Sequence, residues 1–185
     1  FAKAERDWTD RRAEHLGLTL RLLREQPHEM IFGGREEKST DRALLLLVGY
    51  SPEQLALVIA LNCDAGCRRV VPVSSTGAWN VVQTDIEACL RDIEIDGIRW
   101  DPLVQVDPGN PADVFRKVVQ WVRANPGVQI ALDCTGGKKP MDSGAAHAAS
   151  FYGLPARYLD FDDYDRVLRR PLPWTLRYRS LDLPD

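Results

Sequence analysis

The sequence predicts a three-layer α/β fold with a mainly parallel sheet, preceded by an N-terminal amphipathic helix. From Arg42 onward, short apolar runs alternate with segments of helical periodicity, and the connections between them are short, which is typical of βαβ units. The chain has 185 residues, of which 44% are hydrophobic and 28% charged. A chain of this size and composition can build a sizeable core without disulfide or metal support.

Composition and charge exclude several classes of protein. The 24 Lys and Arg residues against 27 Asp and Glu give a formal net charge of −3, whereas a protein that coats nucleic acid is usually basic. The four cysteines form no C-x-x-C pair and the three histidines lie far from them in sequence, which indicates free buried thiols rather than a zinc site. The longest apolar runs, at 43–48 and 55–61, are far shorter than the ~20 residues that span a bilayer.

The first 40 residues are predicted to form a helix and a linker, and residues 41–185 the main domain. The helix extends from about Ala2 to Glu25, ends before Pro27 and is followed by a loop over Gly33–Thr40. The helix has one apolar seam, and a seam of this length needs a partner surface. Packing on its own domain is the favoured interpretation, and pairing with a second copy is the alternative. The seam has heptad spacing and consists of Ala13, Leu16, Leu20 and Leu23.

Five apolar runs predict the strands of the sheet. The first run is continuous, as expected of a central parallel strand that is covered on both faces. A β extension is expected near the end of the chain, at Trp174–Ser180. In chain order the five predicted strands are Ala43–Tyr50, Val70–Ser74, Ile98–Val106, Val128–Cys134 and Arg157–Phe161.

Helices are predicted between these strands from their caps and their periodicity. Ser51 and Pro52 supply an N-cap and a first-turn proline for a helix over Leu55–Leu61. An apolar stripe at helical spacing marks a second helix from Ala78 to about Ile93. The remaining two are a helix opened by Asn110-Pro111 and closed by Pro126-Gly127, and a small-residue helix over Met141–Tyr152.

Three loops at the carboxyl ends of the predicted strands are the candidate ligand site, because ligands of such sheets bind where the chain order switches sides. They span residues 49–51, 74–77 and 135–139. In the third loop, Gly136 and Gly137 let the backbone approach a ligand closely. Lys138 and Lys139 stand at the start of a helix, and together with its free N–H groups they form a site for phosphate.

Other interpretations of these loops are weaker. A Walker A loop requires glycine five residues before Gly137, where Leu132 stands. The dinucleotide fingerprint requires three glycines after the first strand, where Gly49 is alone. An ordinary strand-to-helix turn with solvated lysines is the structural alternative. We expect Asp133 to cap the next turn through the backbone, and direct contact with a ligand is the alternative role for this acid. His147 is expected to pack on a helix face.

Two motifs resemble those of the CARF domains, the CRISPR-associated Rossmann-like sensors. The chain reads Asp133-Cys134-Thr135-Gly136-Gly137-Lys138-Lys139-Pro140-Met141, which is similar to the D-x-T-G-G-T-K-x-M element of that family except that Lys138 replaces threonine. The first strand running into Gly49-Tyr50-Ser51-Pro52 resembles the opening motif of the family. The segment from Asp163-Tyr164-Asp165 to Pro173 is also similar to one CARF branch, so that the resemblance covers about Arg42 to Ser180.

The resemblance implies a Rossmann-like fold and a homodimer that binds a cyclic oligoadenylate, most often cyclic tetra-adenylate, without a cofactor. A ring with internal symmetry suits an identical pair of loops. The third loop would hold phosphates, while Tyr50, Ser51 and Ser74–Thr76 would contact ribose and adenine. The implied ligand-binding residues are Gly49, Tyr50, Ser51, Ser74, Ser75, Thr76, Thr135, Gly136, Gly137, Lys138, Lys139 and Met141.

The resemblance also implies how a sensor would act. We expect a cytoplasmic sensor rather than an enzyme, with an output module before Phe1, in the form of a segment that anchors the protein in the inner membrane. The seam of the first helix would carry the signal and could join copies into higher oligomers. The alternatives are a stand-alone ring nuclease, which would cleave the messenger, and a nucleotide-dependent Rossmann enzyme. No catalytic residue is assigned.

Overall fold

The computed structural model of the chain describes residues 2–26, 41–165 and 170–181, with the backbone alone for residues 2–10 and 170. The helices are α1 (Ala2–Arg24), α2 (Pro52–Asp64), α3 (Thr76–Asp92), α4 (Pro111–Ala124) and α5 (Lys139–Tyr152). The strands are β1 (Arg42–Leu47), β2 (Arg69–Ser74), β3 (Arg99–Trp100), β4 (Val104–Gln105), β5 (Gln129–Asp133), β6 (Ala156–Phe161), β7 (Tyr164–Asp165), β8 (Arg170–Pro171) and β9 (Leu176–Ser180). Pro27 and the loop predicted at Gly33–Thr40 lie outside the described residues.

The strands form the mainly parallel sheet that the sequence predicts. Their order is β3-β2-β1-β5-β6-β9, with β4 also paired to β2. All of these pairings are parallel except that of β6 with β9. Helices cover both faces of the sheet, so the three-layer α/β fold is confirmed.

The central strand β1 shows why the sheet is buried on both sides. Successive side chains of a strand point to opposite faces, and all the residues from Ala43 to Leu47 are fully buried. Leu44 and Leu46 pack with α1, α2 and α3. Leu45 and Leu47 pack with α4 and α5. A continuous apolar run is what such a position requires.

The small-residue helix that the sequence predicts is α5, and its small residues also let it approach α4. A Cβ atom on Gly144 would overlap the carbonyl oxygen of Pro111. On the same helix Ala145, Ala148 and Ala149 are fully buried in the core between the helices and the sheet. The two helices therefore pack closely where a larger side chain would force them apart.

The third predicted strand is not continuous. Instead of one strand over Ile98–Val106, β3 and β4 pair separately with β2. Pro102 lies between them and has no N–H to donate to a ladder. The sheet thus ends on this side in two short strands, which the apolar character of the run does not indicate.

The end of the chain also differs from the prediction. Trp174 belongs to a 3-10 turn over Pro173–Thr175, so the extension begins at Leu176, as β9. The short pair of β7 and β8 was not predicted. Both differences lie in a stretch where proline recurs, which interrupts the alternation that marks a strand.

The first helix packs on its own domain. Leu16, Leu20 and Leu23 are at most 3% exposed and belong to the core that α2 and α3 also form. Ion pairs at 2.7 Å join Arg12 to Asp92 and Arg24 to Asp64. This outcome confirms the favoured interpretation and leaves no free seam at these leucines for a second copy, so the alternative of pairing through them is wrong. The division into 1–40 and 41–185 stays a prediction.

Two further properties of the chain bear on its class. Cys63, Cys67, Cys89 and Cys134 are free and buried, as expected, and burial raises the pKa of Cys63 and Cys89 to about 11. Among residues 2–26, 41–165 and 170–181, no helix has both the length and the apolar character needed to cross a bilayer.

Candidate functional site

The switch point of the sheet lies between β1 and β5. These neighbouring parallel strands lead into helices on opposite faces, because α2 packs in one core and α5 in the other. The loops at their carboxyl ends therefore diverge over the middle of the sheet. A crevice of this kind is where open α/β sheets bind ligands.

Glycines bring the two diverging loops into backbone contact. A Cβ atom on Gly49 would overlap the carbonyl oxygen of Gly136, and a Cβ on Gly136 would overlap the carbonyl oxygen of Leu47. One residue further, a Cβ on Gly137 would overlap Oδ1 of Asp142. The glycines are thus required by close packing within the protein, whether or not a ligand also approaches them.

The helices that start from these two loops have open amino ends. In α3 and α4 a side chain caps the first turn: Ser75 accepts from the Ala78 N–H, and Asn110 accepts from two backbone N–H groups. Ser51 and Lys138 occupy the N-cap positions of α2 and α5, but neither makes a side-chain cap bond. The capping predicted for Ser51 is therefore absent. The positive ends of both helix dipoles lie at the crevice, where an anion would be stabilised.

The side chains predicted to meet a ligand around this crevice are mostly accessible. Tyr50 is 67% exposed, Lys138 and Lys139 are exposed, and Ser51 and Thr135 are half-buried. Neither lysine makes an ion pair with a residue in the described ranges. Two ammonium groups beside an open helix end are thus available to an anionic ligand.

The second loop is joined to the start of the first by a buried hydrogen bond. Ser74 is 1% exposed, and its hydroxyl donates to the carbonyl oxygen of Val48 at 2.8 Å. Ser75 caps α3, which begins at Thr76 and not at Ala78. Of the predicted residues of this loop, the exposed one is therefore Thr76, while the hydroxyl of Ser74 is already used within the protein.

Two partly buried hydrogen bonds hold the third loop. Oδ1 of Asp133 accepts from the Thr135 N–H at 2.9 Å, which confirms that this acid caps the turn, and Oγ1 of Thr135 accepts from the Leu159 N–H at 2.8 Å. Asp133 is fully buried. Burial raises its pKa to about 7, against the lowering effect of hydrogen bonds from Thr135 and Tyr178. The Tyr178 hydroxyl also accepts from Nδ2 of Asn62 at 3.1 Å.

A cleft of about 420 Å³ opens on the α5 side of this loop. Asp142 lines it, and burial raises the pKa of that carboxyl to about 6. Met141, the last residue of the predicted set, is instead 1% exposed and packs in the core. The cleft is lined by Cys134, Thr135, Gly137, Asp142, Ser143, Ala146, Tyr158, Leu159 and Leu181.

The structure brings some of the predicted site residues together at the third loop, and it shows further residues that line the cleft. It places Gly49 against the third loop, and it leaves the 74–77 loop outside the lining of the cleft. Sequence reasoning missed Asp142, Ser143 and Tyr158, although the first two directly follow the motif. His147 packs at 4.8 Å from the ring of Phe115, as expected of a helix-face side chain.

Comparison with known proteins gives one curated relative. No model of a protein family matches the chain. Over 142 residues the chain is 34% identical to the CRISPR system endoribonuclease Csm6 of Thermus thermophilus, in an alignment that covers 74% of this chain and 28% of Csm6. The chain therefore spans less than a third of the length of this relative.

Two solved structures have folds similar to that of this chain. Can2 of Sulfobacillus thermosulfidooxidans, in complex with cyclic tetra-adenylate, matches with a TM-score of 0.52 and 20% identity, over 78% of this chain and 37% of Can2. Protein VC1899 of Vibrio cholerae matches with a TM-score of 0.52 and 11% identity, over 64% of this chain and 30% of its own. At these identities the likeness supports the fold.

Proposed function

The chain is a CARF-domain protein, and from this premise we propose that it senses a cyclic oligoadenylate, with cyclic tetra-adenylate as the expected ligand, in a type III CRISPR defence system. The curated relative is a CRISPR ribonuclease. The structural neighbour Can2 was obtained with cyclic tetra-adenylate bound. The first supports a role in a CRISPR system, and the second supports a messenger of this chemical class for the present chain.

The observation that carries the proposal is the pair of open helix ends at the switch point. The first turns of α2 and α5 lack side-chain caps, and Lys138 and Lys139 stand exposed at the second of them. Backbone N–H groups and ammonium groups together suit phosphate oxygens. A cyclic oligoadenylate carries several phosphates around one ring, which distinguishes it from a mononucleotide.

A second copy of the chain is part of the proposal. A ring with internal two-fold symmetry offers the same contacts twice, and a two-fold dimer presents the same loops twice. Two copies of the lysine pair would then face the ring. Binding of one ring per two chains is the stoichiometry expected from this arrangement.

The output that the sensor controls belongs to the proposal as well. Csm6 is an endoribonuclease of which the matched part is 28%, so a nuclease module joined to the sensor is one form of output. A membrane segment before Phe1, expected from the sequence, is the other. In either form, we propose that the ring acts as a switch and is not consumed.

Calorimetric titration of the purified chain at low ionic strength tests the function. We expect cyclic tetra-adenylate to bind at one ring per two chains, and linear tetra-adenylate and a nicotinamide dinucleotide to bind far more weakly. Absence of heat with cyclic tetra- and hexa-adenylate would refute the sensor. Stronger binding of the linear dinucleotide would favour a nucleotide-dependent enzyme.

The same samples decide between a sensor and a ring nuclease. After titration, the ring is incubated with the protein for several hours and analysed by chromatography. We expect the intact ring to be recovered in full. Linear products formed in proportion to the protein concentration would replace the sensor by the nuclease.

A further inference from the structure

Arginines gather at the amino ends of three neighbouring strands, at the edge of the sheet opposite the crevice. β1 begins at Arg42, β2 at Arg69 and β3 at Arg99, and Arg68 directly precedes β2. Because these strands are parallel neighbours, their first residues lie side by side, and Arg69 pairs directly with Arg99. A pocket of about 230 Å³, which we call the arginine pocket, opens there and is lined by Asp41, Arg42, Gly66, Arg68, Arg69 and Arg99.

Positive charge is in excess in the arginine pocket. Positive groups held this close repel each other unless negative groups or a bound anion compensate them. Asp101 lies 2.7 Å from Arg69 and 3.8 Å from Arg99, and Asp41 lies 3.1 Å from Arg69. Two carboxylates therefore accompany the four guanidinium groups of the pocket, which leaves an excess of two positive charges among these six side chains.

Two of the four arginines are fixed within the protein. Arg42 donates from Nε to Oε1 of Gln129 at 3.0 Å and from a terminal nitrogen to the carbonyl oxygen of Ala65. Arg69 is held by its two carboxylate partners and donates to Oδ1 of Asn125 at 3.0 Å. Cationic groups that are already in place lose little conformational freedom when a ligand binds.

The other two arginines are exposed and have N–H groups to offer. The side chain of Arg99 is 63% exposed, and its contact with Asp101 is long, at 3.8 Å. Arg68 is also exposed and donates to the carbonyl oxygen of Asp96 at 2.9 Å. Each guanidinium group carries five N–H donors, and these contacts engage only a part of them. An anion in the pocket could therefore accept hydrogen bonds from both side chains.

The size and lining of the arginine pocket favour a phosphate group. The planar fork of a guanidinium group matches phosphate oxygens in a bidentate manner. At about 230 Å³, the pocket is smaller than the roughly 300–1,000 Å³ typical of drug-sized ligands. Within the described part of the chain its lining includes no aromatic side chain, so it offers no surface on which a nucleobase would stack.

We propose that the arginine pocket is a second anion site, distinct from the messenger crevice, and that it takes a phosphate group. This group is shared by inorganic pyrophosphate and by the terminal phosphate of an RNA strand. The inference does not depend on the proposed function, because the pocket lies at the amino ends of the strands and the crevice at their carboxyl ends.

Calorimetric titration with inorganic pyrophosphate tests this site. The titrated protein carries Lys138→Ala and Lys139→Ala, which removes the lysine charge from the crevice. We expect one pyrophosphate to bind per chain in this background. Adding Arg68→Ala and Arg99→Ala should weaken the binding at least about tenfold, because charge-assisted hydrogen bonds are lost. Both arginines are exposed, and thermal unfolding of each variant verifies that it is folded.

Two control variants in the same background separate the site from net charge. Arg11→Ala with Arg91→Ala deletes two exposed guanidinium groups on α1 and α3 and should keep the affinity for pyrophosphate within about twofold. Asp41→Asn removes a carboxylate that lines the pocket and would repel the ligand. It should therefore raise the affinity at least about threefold.

A competition experiment identifies the source of the phosphate. A short single-stranded RNA is prepared with a 5′-phosphate and with a 5′-hydroxyl end, and each form is added to the complex with pyrophosphate. If a strand end is the natural ligand, only the phosphorylated form should displace pyrophosphate. If neither form displaces it, a free phosphate compound is the ligand.

Two results would overturn the proposal. The first is that millimolar pyrophosphate produces no heat with the lysine-free background. The second is that the two double arginine variants lose the same affinity. In either case the arginines form a structural ion-pair network only. Neither result bears on the binding of cyclic tetra-adenylate to the wild-type protein, so the proposed function is tested separately.

Discussion

The backbone of Gly49 lies directly against that of Gly136, so that a Cβ atom on Gly49 would overlap the Gly136 carbonyl oxygen. Gly49→Ala should therefore lower the free energy of unfolding by about 1–3 kcal/mol, as overpacking of a close contact does. Urea unfolding measures this change. The matched control is Gly77→Ala in α3, where a Cβ would meet nothing within 4 Å. If both variants lose the same stability, close packing of the two loops is not the reason for Gly49.

The helix α1 offers a matched pair of leucines that differ in burial. Leu16 is fully buried, whereas Leu18 is 38% exposed. Leu16→Ala should lower the free energy of unfolding by about 2–5 kcal/mol, and Leu18→Ala should change it by under about 1 kcal/mol. Light scattering should show the same oligomeric state for both variants and the wild type. A shift toward monomers in Leu16→Ala alone would mean that this seam joins copies after all.

Ionisation of Asp133 should make the fold less stable as the pH rises. Burial raises the pKa of this carboxyl from 3.8 to about 7 in the folded state. Between these values the folded protein holds a proton that the unfolded chain has released, so stability falls with rising pH, by at most about 1.4 kcal/mol per unit. Below the lower value and above the higher one, this group contributes no further slope.

Asp133→Asn isolates that contribution, because the amide cannot ionise. The stability of the variant relative to wild type should increase from pH 4.5 to pH 7.5, as measured by urea unfolding at each pH. Asp85→Asn, an exposed acid, should show no such trend. A constant difference between Asp133→Asn and wild type across this pH range would contradict the raised pKa of Asp133.

The two exposed lysines at the start of α5 should contribute binding and not stability. Lys138→Ala combined with Lys139→Ala is expected to weaken binding of cyclic tetra-adenylate by well over tenfold, since a charge-assisted hydrogen bond contributes about 1.5–3 kcal/mol. Its free energy of unfolding should change by no more than about 0.5 kcal/mol. Calorimetric titration at low and moderate salt measures the affinity.

The control for this double variant removes the same charge elsewhere. Arg11→Ala with Arg91→Ala deletes two exposed guanidinium groups on α1 and α3. Affinity should remain within about twofold of wild type at moderate salt, because distant exposed charges are screened. Equal losses in the two double variants would mean that net charge, and not the open end of α5, attracts the ligand.

Sequence reasoning succeeds where the residues that determine a feature are adjacent in the sequence. The run from Ala43 to Leu47 is apolar at every position, which predicts a strand covered on both faces, and the structure confirms it. The glycines and lysines of the third loop are adjacent in sequence, so their chemistry can be interpreted together. The prediction of one continuous third strand is wrong because Pro102 interrupts the hydrogen-bond ladder with β2 inside an otherwise apolar run.

The cleft could not be predicted because its parts come from separate elements. Asp142 is on α5, Tyr158 is on β6 and Leu181 follows β9. The antiparallel pairing of β6 with β9 brings Leu181 to the same cleft as Asp142. The raised pKa of Asp142 is caused by its burial in the fold. The position of this acid after the motif in the sequence therefore does not predict the raised pKa.

The two margins of the sheet bear on how molecules of this protein can meet. At one margin, β3 and β4 are two residues each and are separated by Pro102. At the other, the charged Arg177 and Arg179 alternate along β9 with buried residues. Short, proline-interrupted and charged borders discourage a strand of another molecule from adding to the ladder. Fibrillar stacking is thereby opposed at both borders, and contact between molecules is directed to loops and helices.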